Sequence, residues 1–156
     1  MSGDVFTTLV PIRFAHCDPA GMTFFPRYFE LVNGVVEDWM SEKLGQSFRE
    51  MHLDRKAGVP TVKIECAFLS PGRVGDILEF SLSVLHIGRS SFTIRVAAHQ
   101  AASGGKVLET TNVLVYSSLL DGAKSQEIPL ALRQEMSRFL IADVSSPDDD
   151  TDETKP

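Results

Sequence analysis

The stretch Arg27-Tyr28-Phe29-Glu30-Leu31-Val32-Asn33-Gly34-Val35-Val36-Glu37-Asp38-Trp39-Met40-Ser41-Glu42-Lys43-Leu44 decides the fold. Phe29, Val32, Val36, Trp39, Met40 and Leu44 recur at helical spacing, with Glu30, Glu37, Asp38 and Glu42 mostly between them. This predicts an amphipathic helix over residues 27–44 with one face to bury. Gly45 follows as a stop signal. Downstream the period changes from helix to strand. In residues 77–86, Leu78, Phe80, Leu82 and Val84 alternate with Glu79, Ser81 and Ser83, the pattern of a half-buried strand. Residues 61–69, 91–100 and 107–117 read as further strands. Ser70-Pro71-Gly72, Ile87-Gly88-Arg89-Ser90 and Ser103-Gly104-Gly105-Lys106 read as the turns between the four.

Upstream, residues 5–14 form a first strand candidate, which Pro11 marks as an edge or a bulge. Residues 129–141 allow a short final helix. The order is strand, long helix, then four strands joined by three short turns that call for antiparallel neighbours. The expected class is α+β, with a curved antiparallel sheet of about five strands wrapped around one long helix. Such a sheet leaves edges and a face to protect, so a dimer is expected.

Composition narrows the function. At 156 residues the chain is the size of one domain. Hydrophobic residues make up 43% and charged residues 23%, as in ordinary globular proteins. The net charge of -6 argues against a nucleic-acid binder that relies on overall positive charge. Six acids and one base lie in residues 143–156, leaving 15 acids and 14 bases in residues 1–142. The expected organisation is a nearly neutral domain over 1–142 and an acidic, disordered tail over 143–156. Cys17 and Cys66 make no disulfide framework, which favours a reduced, cytoplasmic setting. No signal peptide is expected from Met1-Ser2-Gly3-Asp4, and no apolar run approaches the roughly 18–20 residues of a membrane span.

The chemistry concentrates between the first strand and the helix, in Arg13-Phe14-Ala15-His16-Cys17-Asp18-Pro19-Ala20-Gly21-Met22-Thr23-Phe24-Phe25-Pro26. Asp18-Pro19 restricts the backbone, and Gly21 permits close approach. Pro26 suits a first helical turn, where a missing N–H costs nothing. The N–H groups near Phe24 and Phe25 then lie at a positive helix end that polarises a carbonyl oxygen. A carboxylate beside such an end is equipment for attack on an acyl group. The plainer reading is that Asp18 only caps a turn. No metal-ligand spacing joins His16, Asp18, His52 and His86. Cys17 reads as a small buried residue rather than a nucleophile.

His16-Cys17-Asp18-Pro19-Ala20-Gly21, followed by Phe25-Pro26-Arg27-Tyr28-Phe29, resembles the signature of the hot-dog-fold acyl-CoA thioesterases. It is most similar to the 4-hydroxybenzoyl-CoA thioesterase type, whose pattern runs Asp-Cys-Asp-Pro-Ala-Gly and then aromatic-Pro-x-Tyr. The resemblance continues through Ser70-Pro71-Gly72, Gly75-Asp76 and Arg89-Ser90-Ser91-Phe92. It implies that Asp18 acts on the thioester carbonyl, either as a nucleophile forming a mixed anhydride or as a general base on water. It also implies that the Phe25 backbone N–H polarises that carbonyl, and that Arg89, Ser90 and Ser91 contact coenzyme A. The chain departs from the pattern at His16, where the type has an acid, and at Phe25, where it often has Tyr. The expectations that follow are an acyl-CoA substrate, a homodimer or homotetramer, and no metal, redox cofactor, nucleic-acid or membrane partner. The leading substrate is an aromatic acyl-CoA such as 4-hydroxybenzoyl-CoA. The alternatives are aliphatic acyl-CoA or acyl-carrier-protein substrates, or a non-catalytic acyl-CoA binding module.

Overall fold

In the computed structural model, which describes residues 3–141, the helix α1 runs from Phe25 to Lys43. It buries Tyr28, Val32, Val35, Val36, Trp39 and Met40. Trp39 is fully enclosed and packs its ring 6.4 Å from that of Phe92 and 5.7 Å from that of Phe139. Glu37 and Asp38 face solvent on the opposite side. At the helix end Gly45 takes a positive φ of 66°, which turns the chain and lets the Gln46 N–H donate to the Met40 carbonyl.

The strands are β1 (Phe6–Pro11), β2 (Ala57–Gly58), β3 (Thr61–Phe68), β4 (Ile77–Ile87), β5 (Ser91–Gln100), β6 (Lys106–Val115) and β7 (Ser117–Ser118). Five of them form one antiparallel sheet in the order β1-β4-β5-β6-β3, and β2 pairs separately with β7. Leu78, Phe80, Leu82 and Val84 are all fully buried, as their alternation predicts. A second helix, α2 (Leu130–Ser137), adds Leu132 and Met136 to the core. This is the α+β arrangement expected, one long helix held by a five-stranded antiparallel sheet.

Four local readings need correction. Ser70-Pro71-Gly72 is not a hairpin turn, because β3 pairs with β6, while β4 lies between β1 and β5. Leu69 and Ser70 donate to the Val107 carbonyl, and the chain then crosses past the start of α1 before entering β4. The helix starts at Phe25 rather than Arg27. Phe24 and Phe25 are about half exposed and give no inward-facing period, so the amphipathic signal begins later than the helix. The last strand is broken at Tyr116, and Ser117–Ser118 leaves the main sheet to pair with Ala57–Gly58. The first strand ends at Pro11. The Ile12 N–H then donates to the Asp76 carbonyl, and Phe14–His16 forms a 3-10 turn. The acidic stretch 143–156 lies outside the described residues.

Candidate active site

Asp18 sits at the tip of a loop tied across its base. Cys17 and Thr23 pair as an antiparallel bridge, and the Phe24 N–H donates to the His16 carbonyl at 2.9 Å. The Asp18 N–H donates to the Met22 carbonyl at 2.8 Å, and the Gly21 N–H to the Asp18 carbonyl at 3.0 Å. Gly21 has a φ of +79°, a conformation that glycine adopts without a Cβ clash. Inside this loop Asp18 Oδ1 accepts from the backbone N–H groups of Ala20 (2.9 Å) and Met22 (3.2 Å). Asp18 therefore does cap the turn. No hydrogen bond among the described residues reaches its other oxygen, Oδ2, and the side chain is half-buried. One oxygen orients the carboxylate while the other stays available for chemistry.

The crossing segment 69–76 clamps this loop from behind. The Thr23 N–H and hydroxyl both donate to the Gly72 carbonyl, at 2.8 and 3.0 Å, and the Val74 N–H donates to the Gly21 carbonyl at 2.9 Å. The Gly72 N–H donates to the hydroxyl of buried Tyr28 at 2.9 Å, linking the clamp to α1. A Cβ at Gly72 would lie 2.9 Å from that hydroxyl and 3.2 Å from Thr23 Oγ1, so any side chain there must displace the clamp's own partners. Gly72→Ala should cost about 1–3 kcal/mol through overpacking, and Tyr28→Phe a similar amount by orphaning a buried N–H. The two should couple, because removing the hydroxyl makes room for the methyl. A double-mutant cycle by denaturant unfolding reads this, and additive costs would contradict the clamp.

Phe25 is the first residue of α1, so its N–H has no acceptor within the helix and points toward whatever lies at that end. The helix dipole adds partial positive charge there. Beside it opens a cavity of about 340 Å³ lined by Met22, Thr23, Phe25, Tyr28 and Phe68. Phe68, at the end of β3, stands 6.1 Å from Phe25, 6.0 Å from Tyr28 and 6.2 Å from Phe29, ring centre to ring centre. The sequence reading missed Phe68, which belongs to no motif and joins the cluster only through the path of β3.

Arg89, Ser90 and Ser91 are not brought to this cavity. The Asp18 loop joins the fold at the Ile77 end of β4, where Pro11 pairs with Ile77. Arg89 follows the other end, Ile87. The ten residue steps between them, at ~3.3 Å each, span ~30 Å along the strand. Arg89 is exposed, and its guanidinium meets no acid among the described residues. The Ser90 carbonyl accepts from the Tyr116 N–H, and the Ser91 carbonyl from the Gly88 N–H. His16 closes the turn before Asp18, its Nδ1 accepting from the Arg13 N–H at 2.9 Å. Cys66 lies on β3 outside this cavity, and burial pushes its thiol above the usual range, away from the thiolate a nucleophile needs.

Comparison with known proteins agrees with this fold. The model of the thioesterase superfamily matches residues 21–105, more than half of the chain. A curated 4-hydroxybenzoyl-CoA thioesterase from Pseudomonas sp. (strain CBS-3) is 26% identical over 97 residues, covering 62% of this chain and 69% of that protein. Among solved structures, a thioesterase superfamily protein from Jannaschia sp. CCS1 superposes with a TM-score of 0.79 at 26% identity, covering 88% of this chain and 94% of that one. A 1,4-dihydroxy-2-naphthoyl-CoA thioesterase from Synechocystis superposes with a TM-score of 0.77 at 20% identity, covering 85% and 96%. A helix held by a five-stranded antiparallel sheet, matched over most of its length by hot-dog relatives, fits one conclusion: the chain belongs to the thioesterase superfamily and is a thioester hydrolase.

Proposed function

We propose that this thioesterase hydrolyses an aromatic acyl-CoA, 4-hydroxybenzoyl-CoA or a benzoate relative, to the free carboxylate and CoA. The observation that carries the site assignment is the divided Asp18 carboxylate, with Oδ1 held by two backbone N–H groups and Oδ2 accepting no hydrogen bond among the described residues. Asp18 acts on the thioester carbonyl as nucleophile or as base on water. Either route builds negative charge on the carbonyl oxygen, and the Phe25 N–H receives it. The aromatic preference is supported by the rings of Phe25, Tyr28 and Phe68 around the cavity and by the aromatic acyl groups named for two relatives. Release of free thiol from 4-hydroxybenzoyl, benzoyl, phenylacetyl, and short and long aliphatic CoA thioesters tests it. Fastest turnover of an aliphatic chain would overturn the aromatic assignment. Binding without turnover of any thioester would overturn the catalytic one.

The working form is at least a dimer, built on β3. That strand is a sheet edge, and Val62, Ile64 and Phe68 on it are 62%, 39% and 49% exposed. An unpaired apolar edge invites a second copy, and two-fold antiparallel pairing of the β3 strands satisfies both. Light scattering should give a dimer or a larger even assembly for the wild type. Ile64→Lys, a charge on that edge, should shift the mass toward the monomer and lower turnover with it. A fully active monomeric wild type would refute the pairing. In such an assembly Arg89, Ser90 and Ser91 serve the CoA arm of a neighbouring protomer's substrate, since they lie far from Asp18 of their own chain. The Arg89 guanidinium is suited to phosphate by its forked donors.

A further inference from the structure

A second cavity, of about 380 Å³, opens beside the β2–β7 ribbon, with Phe48, His52, Gly58, Thr61 and Leu119 in its lining. His52 lies in a single π-helical turn, Glu50–Asp54. Its ring packs against Phe48 with centroids 5.3 Å apart, and its Nδ1 stands 2.7 Å from the Phe48 carbonyl oxygen. A carbonyl oxygen only accepts, so Nδ1 carries the proton and donates. In the neutral ring Nε2 is then an acceptor. Nothing among the described residues donates to it. The space in front of Nε2 is kept open by Gly58, where a Cβ would come within 3.1 Å of that nitrogen and 3.4 Å of Leu119 Cδ2. A ring held in one tautomer thus presents an acceptor with no donor among the described residues to a cavity.

We propose that His52 Nε2 accepts a hydrogen bond from a hydroxyl on the acyl group, which makes His52 a specificity-determining residue that selects hydroxylated over unsubstituted acyl groups. This rests on the thioesterase reading and the β3 pairing given above. The cavity flanks Thr61, the first residue of β3, whereas Phe25 packs against Phe68, the last. Two-fold antiparallel pairing centred on the strand, between Ile64 and Glu65, would lay Thr61 of one copy beside Phe68 of the other. The His52 cavity of one copy then adjoins the Phe25 N–H of the other, and an acyl group held at that N–H extends into it.

The test is kcat/KM for matched thioester pairs, 4-hydroxybenzoyl-CoA against benzoyl-CoA and 3-hydroxybutyryl-CoA against butyryl-CoA. The wild type should favour the hydroxylated member of at least one pair by about tenfold, the upper end of what one hydrogen bond contributes net. His52→Phe keeps a ring against Phe48 and removes the acceptor. Gly58→Ala fills the space before Nε2 and keeps the histidine. In each variant the preference should fall to within about twofold of unity, whatever the absolute rate. A preference that survives in a folded His52→Phe, or one absent from the wild type, overturns the proposal and leaves the thioesterase reading standing. If no thioester is turned over, the catalytic reading fails separately. The cavity is then tested by titrating 4-hydroxybenzoate and benzoate while following the His52 imidazole nitrogen resonances. A shift of Nε2 with the hydroxylated acid alone supports the assignment, and no shift with either overturns it.

Discussion

Asp18→Asn should fold like the wild type and lose about a hundredfold or more in kcat/KM for the best CoA thioester. The reasoning is atomic. Asn keeps an oxygen that can accept from the Ala20 and Met22 N–H groups, so the turn keeps its cap. What changes is the second oxygen, which becomes an amide nitrogen that can neither attack a carbonyl nor take a proton from water. If Asp18 only capped the turn, the variant would match the wild type. Thiol-release kinetics beside circular dichroism and a thermal melt separate these outcomes. Unchanged turnover would move the search to the acids of α1. Glu30 is the weakest of those, since Arg27 already pairs with it at 2.8 Å.

Much of this was readable from residue order, and the reason differs from element to element. Leu78, Phe80, Leu82 and Val84 announce their strand because a sheet with one buried face imposes a period of two. Trp39 and Met40 announce α1 because one face of a helix must be covered. Asp18 was legible through turn chemistry and a family signature together, neither of which shows that its carboxylate is divided between structure and an open oxygen. The crossing at Ser70-Pro71-Gly72 is not legible locally, since a Pro-Gly pair looks the same in a hairpin and in a crossover. Only the pairing of β3 with β6 distinguishes the two. Arg89 illustrates a different limit. Its place at a turn was legible, but its separation from Asp18 depends on the length and direction of β4. His52 carries no local signal at all, because its tautomer is set by the Phe48 carbonyl and its open space by a glycine six residues on.

Replacing Phe25 by proline should be far more damaging than replacing it by alanine, although alanine removes more of the side chain. The role proposed for Phe25 belongs to its backbone N–H, and proline is the one residue that lacks it. The position is suited to the exchange. Phe25 is the first residue of α1, where no intrahelical hydrogen bond would be lost and the fixed φ of proline is helical. Phe24 already has φ -68° and ψ 121°, the extended conformation required before a proline. Both variants lose the ring contact with Phe68, so the alanine variant measures that loss alone. Phe25→Ala should retain turnover within about tenfold of the wild type, the cost of a half-exposed ring. Phe25→Pro should lose about 10²–10³ in kcat, the cost of one oxyanion donor, with little change in thermal stability relative to Phe25→Ala. Equal kinetics for the two would mean that the N–H takes no part and that the charge on the carbonyl oxygen is met elsewhere. A loss confined to KM would mean that the N–H binds the ground state and the transition state alike. Only a fall in kcat fits a donor whose bond strengthens as the carbonyl oxygen gains charge.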